Sequence, residues 1–102
     1  MSVFHELVSR GVTDLWLARE GGATIMGRRA HDLMYQCDRE RWRPESVLCE
    51  SLPFAVYRDC GVDEAMGLSR PRYILDKRAK TVEEAMSIAG HDGVVVTHDP
   101  VA

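Results

Sequence analysis

The sequence predicts a single α+β domain over residues 1–102, with a short mixed sheet of four or five strands covered by about three helices. A length of 102 residues suits one domain and is too short for two. A hydrophobic content of 45% and a net charge of only −3 favour a packed core over a disordered chain. Stretches with helical periodicity alternate with short apolar runs that are typical of strands. Both kinds of element are therefore expected in one small domain.

The first predicted element is a helix over residues 2–10. Its apolar residues recur at helical spacing, and Gly11 follows as a natural C-terminal stop. These apolar residues are Val3, Phe4, Leu7 and Val8.

Two structures fit the next segment, residues 13–26. Gly21-Gly22 would form the turn of a hairpin between strands at 13–19 and 23–26. Alternatively, Thr13 would cap a short helix that ends at the same glycines. We favour the hairpin.

Residues 28–42 are predicted to form an amphipathic helix. One stripe of the helix is apolar and the opposite face is polar. The stripe consists of Ala30, Leu33, Met34 and Cys37, and the outward set is Arg29, Asp32, Gln36, Arg39 and Glu40. Arg43-Pro44 should end the helix, because a proline disfavours the helical conformation of the residue before it.

The middle of the chain is predicted to contain two short strands, 46–50 and 54–58. A helical alternative for the first strand places Pro44 in an opening helical turn. Residues 59–61 (Asp-Cys-Gly) are expected to form a turn. Asp63 should then cap a short helix that carries Ala65, Met66 and Leu68.

The C-terminal third predicts a β-α-β unit. Tyr73 to Leu75 and Val94 to Val96 are compact apolar runs of the kind that buried strands show. Thr81 and Glu84 form a capping box at the start of the helix between them, and Gly90 is its expected end. The crossover should be right-handed.

Three cysteines, Cys37, Cys49 and Cys60, argue for a reducing compartment. Their number is odd, and none of them has a second cysteine at zinc-ligand spacing. No apolar stretch is long enough to cross a membrane. We therefore expect a cytoplasmic protein with three reduced thiols and no contact with a membrane.

Two basic blocks stand out against the acidic total. Residues 28–43 carry five arginines against three acids, and residues 70–80 carry five cations against Asp76 alone. The first block ends in a predicted protein-binding corner of Arg39, Arg41, Trp42 and Arg43, because arginine and tryptophan are enriched in interface hot spots. The same arginines, together with Arg28 and Arg29, also suit nucleic acid.

The second block suggests an anion site at one edge of the sheet. If strands 73–75 and 94–96 are parallel neighbours, their carboxyl ends meet at that edge, beside the amides of the Thr81 helix. The residues gathered there would be Lys77, Arg78, Lys80, Thr81 and His98. An exposed connection explains the same cations without any ligand.

Catalytic patterns are missing from the sequence. It contains no nucleophile elbow, P-loop or dinucleotide-binding fingerprint, and His31-Asp32 has no further metal-ligand pattern around it. We therefore expect no catalytic residues, metal or cofactor, and a non-catalytic module that binds another protein or protein complex as an inhibitor, adaptor or accessory subunit. The alternative is nucleic-acid or nucleotide-phosphate binding. Eleven arginines against two lysines, with no asparagine, suit a GC-rich bacterial or phage genome.

Overall fold

A computed structural model describes residues 3–19, 21–48, 52–65 and 68–98. Within these ranges three α-helices, a 3₁₀ helix and five strands confirm the predicted α+β fold. In chain order they are α1 (Val3–Ser9), β1 (Leu15–Arg19), β2 (Gly22–Met26), α2 (Arg28–Glu40), the 3₁₀ helix (Pro44–Val47), β3 (Phe54–Ala65), β4 (Leu68–Ala79), α3 (Val82–Ala89) and β5 (Gly93–His98).

The five strands form one mixed sheet in the order β2-β1-β5-β3-β4. Strands β1 and β5 run parallel, and the other neighbours are antiparallel. The hairpin interpretation of residues 13–26 is confirmed, since β1 and β2 pair from Arg19↔Gly22 to Leu15↔Met26. Gly21 adopts φ +79° at its turn, a conformation that glycine adopts without strain.

Helices cover both faces of the sheet. Helix α2 packs on one face, where its residues Leu33 and Cys37 join a buried cluster with Trp16, Tyr57 and Val96. On the other face a second cluster joins α1 and α3 to the sheet. It contains Leu7, Leu15, Phe54, Val56, Ala79, Val82, Ala85, Ala89 and Val95. Because successive side chains alternate between faces, the run Val94 to Val96 serves both clusters.

Strands β3 and β4 are longer than the sequence predicts. Only Phe54 to Arg58 of β3 pair with β5. The remainder, residues 59–65 with 68–73 of β4, continues as a two-stranded segment that we call the arm. The predicted turn at 59–61 is wrong, because the register shifts there as a β-bulge and both strands go on. Gly61 adopts φ +122° and donates its N–H to Asp59 Oδ1 at 2.9 Å, which is why the segment resembles a turn.

The predicted helix after the bulge is also wrong. Asp63 and Ala65 lie in β3 and pair with Arg70 and Leu68 of β4. Met66, which was expected on that helix, lies outside the described residues. In the structure, backbone N–H and C=O groups of β3 and β4 form hydrogen bonds between the two strands. A single helical turn at this point would have to satisfy the same groups within the turn itself.

The predicted strand at 46–50 is wrong as well, and the helical alternative is closer. Pro44 opens a 3₁₀ helix that ends at Val47. The carbonyl of Arg43 accepts hydrogen bonds from both the N–H and the hydroxyl of Ser46, which turns the chain locally. Cys49 and Glu50 lie outside the described residues.

The capped helix of the C-terminal third is confirmed, but its two strands are not neighbours. Thr81 Oγ1 accepts a hydrogen bond from the Glu84 N–H at 3.2 Å. The Glu84 carboxylate in turn accepts a hydrogen bond from the N–H of Lys80. In a standard capping box it would accept from the N–H of Thr81. Strands β4 and β5 run in the same direction with β3 between them, because both pair antiparallel with β3. The connection through α3 therefore passes over one strand.

Arg58 ties the centre of the sheet to the end of α3. Its guanidinium contacts the carbonyl oxygens of Ile88 and Ala89 and forms ion pairs with Asp76 and Asp92. A cation at a helix C-terminus satisfies free carbonyls and complements the helix dipole. No helix in the described part of the chain has the length and apolar character needed to cross a membrane.

Candidate binding cleft

An open cleft of about 930 Å³ lies between α2 and the arm. One wall is the exposed side of α2, and the other is the start of β4. The lining residues are Thr13, Asp14, Gly27, Arg28, Arg29, Asp32, Tyr35, Gln36, Arg39, Asp59, Arg70, Pro71 and Tyr73. Both predicted basic blocks contribute, since Arg39 comes from the first and Arg70 from the second.

Gln36 fixes the two walls of the cleft relative to each other. Its Nε2 donates to the Tyr73 carbonyl at 2.8 Å, and the Tyr73 N–H donates to its Oε1 at 2.7 Å. The side chain is only 4% exposed, so the prediction that it faces solvent is wrong. Its position three residues after Leu33 and one before Cys37 is a signal for this burial, since residues i and i+3 share a helix face.

The end of the cleft is built around Asp14, which caps α2 from another element. The N-cap residue, Gly27, has no side chain, and Asp14 Oδ1 accepts the Arg29 N–H in its place at 2.9 Å. The Arg29 guanidinium also approaches Asp14 Oδ2 at 3.4 Å. Gly27 has φ +93°, and a Cβ there would overlap the Thr13 carbonyl oxygen and the Asp14 carboxylate. The sequence alone shows that Gly27 precedes a helix. It does not show that the carboxylate of Asp14, from another element, supplies the cap that glycine lacks.

Charges of both signs line the cleft. Arg29 is paired with Asp14, whereas no ion pair of Arg28 or Arg70 is found among the residues whose side chains are described. Asp32 and Asp59 carry negative charge on the same surface. Arg28 begins α2 and Arg70 lies on the arm, so the cleft offers cations from both walls.

Tyr35 adds an aromatic group to this polar surface. It lies on α2 between the cleft's charged residues, and 56% of its surface is exposed. Tyr73, by contrast, is buried at the base of the arm, and burial raises its pKa to about 12. The exposed phenol and the guanidinium groups can contact a ligand by stacking, hydrogen bonding and ion pairing.

The predicted corner of Arg39, Arg41, Trp42 and Arg43 is divided between different surfaces. Arg39 lines the cleft. Arg41 is exposed just beyond α2, with φ 58°, so the helix ends at Glu40 before Pro44 is reached. Trp42 and Arg43 line a separate recess of about 420 Å³ beside β2.

Trp42 is a half-buried residue at the edge of the core. Its indole stacks on Tyr57 with the ring centroids 5.8 Å apart. Its Nε1 donates to Glu40 Oε2 at 2.9 Å, and the other oxygen of Glu40 pairs with Arg72 of β4. Partial burial opposes ionisation of Glu40, but the bonds from Arg72 and Trp42 outweigh it and lower the pKa of the carboxyl.

The residues of the predicted anion site lie at the C-terminal ends of β4 and β5, away from the cleft. Ala79 and Thr97 both pair with Phe54, so β4 and β5 end at one edge but remain separated by β3. Lys77, Arg78 and Lys80 are exposed, Thr81 serves as the helix cap, and His98 ends β5. The backbone N–H of Lys80 already donates a hydrogen bond to the Glu84 carboxylate.

The remaining reactive groups lie apart from one another. Cys37 is buried and Cys60 is exposed, neither of them forms a disulfide, and Cys49 lies outside the described residues. Among the residues with described positions, no three His, Cys, Asp or Glu side chains come close enough to hold a metal ion. His31 is exposed on α2.

Comparison with known proteins leaves the cleft as the basis for interpreting function. No protein-family model matches the chain. No significant match was found among curated proteins or among solved structures.

Proposed function

We propose that the chain is a non-catalytic protein-binding module that holds a segment of another protein in the cleft between α2 and the arm. An inhibitor, an adaptor and an accessory subunit of a larger assembly would all act in this way. The observation that carries the proposal is the cleft itself, with Arg28 and the exposed Tyr35 on the α2 wall and Arg70 on the opposite wall. Tyrosine and arginine are among the residues most enriched at interface hot spots.

The hydrogen bonds that hold the two walls in place support this role. Gln36 joins α2 to β4 through two buried hydrogen bonds, and Asp14 holds the start of α2. A site whose walls are already in place loses little conformational entropy on binding. The mixture of charges suits a polypeptide segment, which offers acidic, basic and amide groups along its length.

The proposed setting is the cytoplasm of a bacterial cell, with a bacterial or phage source. An odd number of cysteines, with no two of them close together in the sequence, supports a reducing environment. The arginine-rich composition supports the proposed source.

Nucleic acid is the second candidate ligand. Four arginines line the cleft together with an exposed aromatic residue, a combination that can follow a phosphate backbone and stack a base. These arginines are Arg28, Arg29, Arg39 and Arg70. Three aspartates on the same surface and a net charge of −3 favour the protein ligand instead.

Affinity capture from an extract of the source organism tests the proposal. The tagged wild-type chain should capture at least one protein that Arg70→Glu loses. Lys77→Glu is the matched control, because it reverses an exposed cation on the same strand outside the cleft. A failure of Arg70→Glu to lose any captured protein would count against the cleft.

Oligonucleotide binding decides between the two candidates. Fluorescence anisotropy measures binding to single-stranded and double-stranded DNA and RNA at several salt concentrations. A protein-binding module should show no nucleic-acid affinity of the kind that is lost steeply between about 50 and about 200 mM salt. A steep loss with salt, abolished by Arg70→Glu, would instead favour the nucleic-acid function.

A further inference from the structure

We infer that the free edge of β2 pairs with β2 of a second copy of this chain, joining two five-stranded sheets into one continuous sheet. This inference is independent of the cleft. It rests on a difference between the two edges of the sheet, on the direction of the β2 backbone groups and on the residues at that edge.

The edge formed by β4 is protected against further strands. Gln36 occupies both backbone groups of Tyr73, and Pro71 removes a donor two residues earlier. The strand also carries four exposed cations, which would repel an identical strand. These are Arg70, Arg72, Lys77 and Arg78.

The edge formed by β2 carries none of these protections. Its sequence, Gly-Ala-Thr-Ile-Met over 22–26, contains no charged residue and no proline. Among the described strands β2 pairs only with β1, so one side of its backbone faces outward. The strand itself therefore brings no like charges to a contact between two copies.

Hydrogen-bond alternation identifies the outward backbone groups. The Val95 N–H donates to the Asp14 carbonyl at 3.1 Å. The backbone polar groups of Asp14 and Trp16 therefore face β5. Because these groups alternate in direction along a strand, the backbone N–H and C=O of Leu17 face β2, where its partner is Thr24. The flanking β2 residues, 23 and 25, consequently direct their N–H and C=O groups to the free edge.

These outward groups are complementary to themselves. In an antiparallel pair with Thr24 on the two-fold axis, Ala23 of each copy lies opposite Ile25 of the other. Each such pair exchanges two hydrogen bonds, so the two pairs make four. The two Thr24 side chains meet as a close, non-hydrogen-bonded pair, an arrangement that stabilises sheets.

The side chains at this edge also fit. Ala23 and Ile25 pair with Ala18 and Trp16, which belong to the cluster on the α2 face. Directly opposite residues share a face, so the second copy's Ile25 would lie beside the small, exposed Ala23. The recess of about 420 Å³ lined by residues 21–23 begins there and leaves room for it.

The test is the mass in solution, measured by sedimentation equilibrium from about 1 μM to about 1 mM chain. The wild type should approach twice the 11.5 kDa mass of one chain as concentration rises. Ala23→Pro removes an outward N–H without removing a β1–β2 bond and should weaken dimerisation at least tenfold. Ala23→Ser keeps that N–H and should dimerise like the wild type.

Amide exchange of the wild-type chain provides a measurement that needs no variant. The N–H groups of Ala23 and Ile25 should exchange more slowly as the concentration rises, while that of the exposed His31, on the first turns of α2, should not change with it. A chain that remains monomeric throughout would overturn the inference. So would a dimer that forms equally well with Ala23→Pro, or one that leaves the amides of Ala23 and Ile25 unprotected.

Discussion

The side-chain amide of Gln36 pairs with both backbone polar groups of Tyr73, at 2.8 and 2.7 Å. A primary amide presents one donor and one acceptor side by side, as the backbone of a neighbouring strand does. Helix α2 therefore satisfies the edge of β4 at this residue and holds the arm beside it. Together with the ion pair between Glu40 and Arg72, this interaction sets the distance between α2 and β4.

Replacing Gln36 with methionine should destabilise the fold by about 2–3 kcal/mol, because two backbone groups of Tyr73 would be left buried without partners. Denaturant unfolding measures the loss, and faster exchange of the Tyr73 amide would locate it. The matched control is His31→Met on the exposed side of α2, which should change stability by less than about 0.5 kcal/mol. Equal effects of the two substitutions would show that the amide pair contributes nothing specific.

Gly27→Ala should cost at least about 2 kcal/mol, since it adds a Cβ at φ +93° against the Thr13 carbonyl and the Asp14 carboxylate. Gly22→Ala is the control, because nothing lies within 4 Å of a Cβ at that position. Thermal melts of the two variants should separate clearly. A Gly27→Ala protein as stable as the wild type would contradict the close packing of Asp14 on the start of α2.

Thr81→Ala should destabilise the chain by about 1 kcal/mol, because the Glu84 N–H loses its acceptor at the start of α3. Thr81→Ser retains the hydroxyl and should stay close to the wild type. Denaturant unfolding with both variants compares the two cases. If alanine and serine behave alike, the hydroxyl is not acting as a cap.

Glu40 should contribute to the loss of stability in acid. The bonds from Arg72 and Trp42 lower its pKa below the ordinary 4.5, so the folded state favours the ionised carboxylate. This stabilisation is present above the ordinary pKa and disappears as the pH falls through the lowered one. Melting temperatures measured downward from pH 6 should therefore fall less steeply for Glu40→Gln than for the wild type. Parallel curves would contradict the role of Glu40 as an ionised bridge.

Elements with local signals could be predicted from the sequence. The capping box at Thr81 and Glu84 contains its own start signal, and the apolar stripe of α2 contains its periodicity. The length of β3 could not be predicted in this way, because Asp59 and Gly61 form a bulge with the same residue types that make turns. What continues the strand past the bulge is pairing with β4, a contact between distant residues.

The cleft depends almost entirely on such distant contacts. Gln36 and Tyr73 are 37 residues apart, and Asp14 and Arg29 are 15 apart. Arg39 was recognised as a candidate from its basic block, whereas Arg70 joins it only because the arm folds toward α2. Composition identified the types of residue involved, and the topology determined which of them share a surface.

The affinity of the captured protein for two charge-reversal variants tests the cleft most directly. Arg28→Glu with Arg70→Glu should bind at least tenfold more weakly than the wild type, about 1.4 kcal/mol, with an unchanged melting curve. Arg41→Glu with Arg43→Glu reverses two exposed cations outside the cleft and should bind within about twofold of the wild type. Full affinity of the first variant, or a loss confined to the second, would contradict the cleft and place the interface at the end of α2.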